Sequence, residues 1–196
     1  MRRATLIIAA LIALVACSNS PTGEINAAGA VLAAFRDNPP VTRYHELERA
    51  GAAAREMQWA DQPPITTLLE NRQAGYATWL TPAGATLTLQ NGVLHSTRAL
   101  PARLAASEIS DSIGLIRARR AGRADRLHSF LDSNGQIVTR TYRCAITPTS
   151  DGMSEDCRSL DQSFINTYQL DAAGRVSQSR QWAGPGIGYI MIGAVR

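Results

Sequence analysis

Residues 85–100, ATLTLQNGVLHSTRAL, limit the fold more than any other stretch of this 196-residue chain. Leu87 and Leu89 alternate with Thr86 and Thr88, the period of a strand with one buried face. Asn91-Gly92 comes next, and both residues tolerate the positive φ that a two-residue hairpin turn demands. Just upstream, Thr81-Pro82-Ala83-Gly84 carries proline and glycine where a type I turn wants them. The pattern then recurs. RLHSFLD, the turn Ser133-Asn134-Gly135 and QIVTRTYRCAIT form one further hairpin; SFINTYQLD, AAG and RVSQSRQWA form another, and GYIMIGAV closes the chain. Short strands at regular spacing with turn chemistry between them predict a mainly β domain over residues 59–196. It is an antiparallel meander, closed as a barrel or folded as a sandwich. Ahead of it, residues 30–58 read as a short helical segment. An alanine-rich stretch from Ala27 to Arg36 stops at Pro39-Pro40, and RYHELERAGAAAREM, residues 43–57, is carried through Gly51.

The N-terminus has a different character. Arg2 and Arg3 precede an apolar run from Leu6 to Ala16 that is too short to span a bilayer as a helix, which takes about 20 residues. A positive start, a short apolar core and small residues at its end describe a secretory signal peptide over residues 1–16. Leu14-Val15-Ala16-Cys17 is similar to the lipobox of bacterial lipoproteins, which implies cleavage before Cys17 and acylation on it, palmitate among the acyl groups. Several acyl chains hold a protein firmly where one does not. Residues 17–29, small and turn-prone, then form a tether. By the same resemblance Ser18, rather than an aspartate, points to the periplasmic leaflet of the outer membrane. The plainer alternative is an ordinary signal peptide with an incidental cysteine.

All 20 basic residues are arginine, against 16 acidic ones, and two arginines lie in the leader. A nearly balanced remainder does not point to a nucleic-acid partner. Cys144 and Cys157 are left over once Cys17 is lipidated, and in an oxidising compartment two such cysteines pair. The polar segment AITPTSDGMSED between them reads as a flexible crossing between two strands. The absence of CxxC spacing and of a nearby histidine argues against metal.

Recognisable catalytic motifs are missing. His45, His95 and His128 share no helical spacing, there is no GxSxG, and GPGIGY at 184–189 leads into a strand and reads as a turn. Asp132, Asp151, Asp161 and Asp171 fall mostly in turns, where aspartate caps backbone amides. No cofactor or metal site is expected. Two features suit a ligand. Arg117, Arg119, Arg120, Arg123 and Arg126 cluster in RARRAGRADR and can grip phosphate or uronate groups, although such a run is more often a solvated edge or loop that discourages strand aggregation. Trp59, Trp79 and Trp182 can offer flat faces to sugar rings, or serve as core.

In order, TWLTPAGATLTLQNGVLHSTRAL, YRCAITP…EDC and SFINTYQLDAAGRVSQSRQWAGPGIGYIMI resemble the YjbF/GfcB family of capsule and exopolysaccharide lipoproteins, over about residues 59–196. A local departure is Gln169 after Tyr168, where the family is associated with tryptophan. The resemblance implies an antiparallel β protein without established catalytic residues. It further implies a non-enzymatic outer-membrane lipoprotein accessory to capsule or exopolysaccharide production, with the polymer and its export proteins as partners. The competing readings are a periplasmic enzyme that modifies the polymer and a general structural lipoprotein of the envelope.

Overall fold

The computed structural model describes residues 40–196 apart from positions 60, 102 and 133. The leader, Cys17, the tether and the Ala27–Arg36 segment lie outside the described residues. The fold is mainly β, as the turn chemistry predicts. Helix α1 (Pro40–Arg49) precedes five strands: β1 (Ala54–Trp59), β2 (Ile65–Gln73), β3 (Tyr76–Leu80), β4 (Thr86–Gln90) and β5 (Val93–Arg98). After β6 (Leu104–Glu108) comes a second helix, α2 (Ser110–Arg117). Six more strands complete the chain: β7 (Gly122–Leu131), β8 (Ile137–Thr149), β9 (Gly152–Arg158), β10 (Ser163–Leu170), β11 (Val176–Gly184) and β12 (Gly188–Val195).

All twelve strands form one antiparallel sheet in the order β5-β4-β3-β2-β1-β12-β11-β10-β9-β8-β7-β6. Apart from β1, which pairs with β12, each neighbour in space is a neighbour in sequence. The sheet is an up-and-down meander that nearly closes into a barrel, with its seam between β5 and β6. Past the bulge at Thr88/Leu89, the Leu94 N–H donates inward to Gln181 Oε1 (2.7 Å), and the Leu94 carbonyl faces Arg126 Nη2 (3.5 Å). At this position the β5 backbone is satisfied across the interior rather than by β6. Side chains bridge the gap instead. Leu104 N donates to Thr97 Oγ1 (3.1 Å), and His95 Nδ1 lies 2.9 Å from the Ser107 carbonyl.

Three hairpin loops share one construction. Thr81, Asp132 and Asp171 each accept, through the carbonyl, from a glycine three residues on (Gly84, Gly135, Gly174). Their side-chain oxygens then accept from backbone amides, as in Asp132 with Asn134 and Gln136, and Asp171 with Ala173 and Arg175. The aspartates therefore do what turn aspartates do. Asn91 (φ 49°) and Gly92 (φ 90°) make the tight hairpin anticipated from the sequence.

Two boundaries differ from expectation. The helix expected over 43–57 ends at Arg49, because Gly51 (φ 67°) and Ala52 close it by donating to the Glu48 and Leu47 carbonyls. Strand β1 takes up the rest of that segment, so the β domain begins at Ala54 rather than 59, and Arg55 and Met57 point inward with the period of two. The segment between the cysteines is likewise a hairpin, not a flexible crossing: β8 runs to Thr149 and β9 starts at Gly152. Cys144 and Cys157 stand directly opposite each other on these strands, joined as a disulfide.

One apolar cluster, centred on Trp79, Leu87, Leu89, Leu94 and Ile190, fills one part of the interior, and Ile109, Ile113 and Ile116 of the α2 region pack with Ile146 and Tyr168 in another. Each such side chain taken from water contributes about 1.5–3 kcal/mol. The helix α1 sets Tyr44 and Leu47 on Leu68 and Leu80. Among the described residues no helix is long and apolar enough to cross a membrane.

Candidate functional site

Two charged constellations occupy different parts of the barrel. The first is sealed inside it. On β7 the inward alternation Ala124, Arg126, His128 puts a guanidinium in the interior, and on β9 the alternation Met153, Glu155, Cys157 puts a carboxylate opposite it. Arg126 Nη1 donates to Glu155 Oε2 at 2.6 Å, with both side chains fully buried. Three further donors complete the carboxylate: Ser112 Oγ (2.6 Å) from α2, with Asn166 Nδ2 and the Tyr168 hydroxyl (both 2.7 Å) from β10. Arg126 Nε donates in turn to His128 Nε2 (2.8 Å).

Burial alone would raise the Glu155 pKa, but the Arg126 charge and these hydrogen bonds hold it below the ordinary carboxylate value. Burial alone, the largest effect, would lower Arg126, but the Glu155 charge together with Tyr168 and the hydrogen bonds to both outweighs it, so the guanidinium stays protonated. Burial and then the neighbouring Arg126 charge push His128 well below its usual value, leaving it neutral with Nε2 as acceptor. Removing two ions from water costs several kcal/mol each, and only such complete satisfaction offsets it. Ligand atoms of Cys144, Glu155 and Cys157 lie within 4.8 Å of one another. The two sulfurs are bonded to each other, however, so neither is a thiolate that could hold a metal.

The second constellation is open. The β2–β3, β4–β5 and β10–β11 turns gather at one end of the barrel with the start of β1, the end of β12 and the last residue of α2. They enclose a cleft of about 550 Å³, a usual size for a small-molecule site. Arg55, Arg72, Arg117 and Arg175 line it, with Tyr76, Ala77, Trp79 and Leu89 supplying apolar wall and Asp171 the one carboxylate. Asp171 is committed to Arg175, whose Nε donates to its Oδ2 at 2.7 Å. Arg55, Arg72 and Arg117 have no ion-pair partner among the described residues. Arg55 is only 5% exposed, with its guanidinium carbon 4.6 Å from the centre of the Trp79 ring. Burial, then the Arg72 charge, lower its pKa to about 10.

A family model described as YjbF, group 4 capsule polysaccharide lipoprotein gfcB, matches residues 27–195. The chain belongs to the YjbF family. Among curated proteins there is no match. A crystal structure of the hypothetical lipoprotein YmcC from Escherichia coli K12 is similar, with a TM-score of 0.64 and 19% identity, over 74% of this chain and 86% of that one. At that identity the likeness is one of fold. Family membership ties the chain to capsule polysaccharide and, as a lipoprotein family, to the cell envelope.

In this YjbF-family barrel the sequence candidates separate. Arg117 and Trp79 meet at the cleft, one on the rim and one in the wall. Arg126 is neither solvated nor accessible: it is 1% exposed and belongs to the interior network, which corrects its reading as part of a surface run. Arg119 fastens the β10–β11 turn by donating to the Asp171 (2.9 Å) and Leu170 (3.4 Å) carbonyls. Arg120 and Arg123 are exposed and away from the cleft. Trp182 stacks on Phe164 at 5.9 Å and packs against Tyr189, so it too stands apart. Arg55, Arg72 and Arg175 belong to no motif that singles them out in the sequence. For Arg55 a signal is nevertheless present, since AREMQW alternates inward at 55 and 57.

Proposed function

We propose that this protein is a lipid-anchored accessory factor of capsule or exopolysaccharide production or export. In this reading it is held by Cys17 to the periplasmic leaflet of the outer membrane, works beside the polymer and its export proteins, and breaks no bonds. Residues 1–16 are the leader, 17–29 the tether, and the barrel the working part. One observation carries the non-catalytic reading: the open cleft is walled by arginines and aromatic residues, and its one carboxylate is spent on a turn. Hydrogen bonds from the Arg175 backbone and side chain hold Asp171 below the usual carboxylate range. A general acid needs the opposite shift. The buried Glu155 is sealed from any polymer.

Deleting the gene tests the reading. Secreted polymer should fall in amount while its linkages and repeat unit stay as they were. Changed linkages or chain cleavage by the purified protein would make it an enzyme, and unchanged polymer under inducing conditions would remove the polysaccharide role.

A further inference from the structure

Arg55 stands out among the arginines of the cleft. Its Nε is buried without any hydrogen-bond partner, and no carboxylate among the described residues pairs with its charge. Contrast Arg126, more deeply buried still but answered by Glu155. A folded chain rarely leaves a buried polar group unanswered, and each exception asks for an explanation. Water could accept from Nε but would not offset the charge. Arg72 and Arg117 add uncompensated charge to the same cleft. Trp79, which lines it too, has its indole Nε1 buried and without an acceptor.

We infer that the cleft is a binding site for the carboxylate of an acidic saccharide, with Arg55 as its principal contact. A guanidinium presents a planar fork that matches a carboxylate in bidentate fashion. The wall decides what carries that carboxylate. Tyr76, Ala77 and Val176, partly open to the cleft, give an apolar surface that a bare inorganic anion would leave wet, and a pyranose ring covers it with its C–H face. The choice of a saccharide among carboxylates rests on the capsule reading; the anion site rests on Arg55, with Arg72 and Arg117 beside it. The guanidinium is held for a partner that arrives from outside, at a cost to the empty fold.

The test uses the full-length lipidated protein in detergent micelles and isothermal titration calorimetry with trigalacturonate, its neutral methyl ester and inorganic phosphate. Trigalacturonate should bind, more weakly as salt rises, and the ester should bind at least about tenfold more weakly. Arg55→Met, which keeps the length of the side chain, should lose at least about tenfold in affinity while its thermal midpoint stays level or rises. A merely structural arginine would lower the midpoint when replaced. Arg72→Gln with Arg117→Gln, both on the exposed rim, should weaken binding severalfold and settles the matter if Arg55→Met fails to fold. The proposal is overturned if trigalacturonate does not bind, if the ester binds as tightly, if phosphate alone binds, or if the variants that fold bind like wild type. Unchanged polymer in the deletion strain would leave this binding intact, so the two readings fail separately.

Discussion

Arg126 and Glu155 meet at 2.6 Å in the barrel interior, each fully buried and each the other's only opposite charge within ion-pair reach among the described residues. Three strands of one wall (β7, β9 and β10) and α2 converge on the pair, so it ties that wall and the helix together from the inside. Removing one partner strands the other. Glu155→Ala should therefore cost about 3–5 kcal/mol, a large share of a typical folding stability. Replacing both, Arg126→Met with Glu155→Leu, should cost less than the sum of the single changes, because no lone charge stays buried. Urea midpoints of the double variant and the two single ones decide this, and additive losses would contradict it.

The same network sets a pH dependence. His128 has a depressed pKa, so below the ordinary histidine value near 6.5 the unfolded chain takes up a proton that the folded chain refuses. Its contribution is whole above that value and declines as pH falls, by at most about 1.4 kcal/mol per pH unit. Glu155, also depressed, adds to the decline only within and below the carboxylate range, as it is protonated. His128→Gln offers an acceptor that does not titrate. Between pH 6.5 and 5 the wild type should lose stability faster than this variant in urea titrations; parallel slopes would mean that His128 is not the group responsible.

Turn chemistry is the legible part of the sequence because it is local. Asn91-Gly92 and the loops closed by Gly84, Gly135 and Gly174 specify their conformations within four residues, and the meander results from them. Arg126 is obscured by its neighbours: five arginines in ten positions look like a surface, and only the alternation with Ala124 and His128 assigns it inward. Polar composition hides β9, since SEDC reads as loop until Glu155 acquires four donors brought from residues 112, 126, 166 and 168. The eight-residue α2 is too short to declare itself by periodicity. The cleft is illegible for the same reason as Glu155. Arg55, Arg72, Arg117 and Arg175 are distant in sequence and meet only when the barrel closes.

Breaking the Cys144–Cys157 bond should weaken the barrel without dismantling it. The two residues face each other within a fully paired β8–β9 ladder, so the native hairpin does not depend on the bond for its register. What the bond restricts is the unfolded chain, worth about 3 kcal/mol for a loop of this length. A reductant should lower the urea midpoint while the far-ultraviolet circular dichroism in water is unchanged. Alkylation and intact mass of the non-reduced protein should find neither thiol free.

Gly152 is irreplaceable for a steric reason. It opens β9 at φ 156°, and a Cβ there would lie 1.9 Å from the Tyr168 carbonyl oxygen, an atom of the β10 backbone that cannot swing away. Gly152→Ala must part the strands beside Tyr168, whose hydroxyl serves Glu155. A loss of about 3 kcal/mol or more is expected, at or above the usual range for overpacking. Gly135→Ala is the control: φ is 76°, yet nothing lies within 4 Å of the added carbon, so only about 1 kcal/mol of backbone strain is at stake. Equal losses would show that conformation, not contact, governs both sites.

On the proposed anchoring through Cys17, Cys17→Ala should release the protein from the membrane. The positive start, the short apolar core and Leu14-Val15-Ala16-Cys17 are the grounds for expecting lipid on this residue. Cells fed a radiolabelled fatty acid should label the wild-type chain and not the variant, and membrane fractionation should move the variant to the soluble periplasm. Equal labelling of both would remove the anchor from the proposal. The functional consequence is one of concentration. A tethered barrel is held near its membrane partners at high effective concentration, so releasing it should cut polymer output even where the variant accumulates at the wild-type level. Full output from a soluble variant would mean that the barrel acts without the membrane.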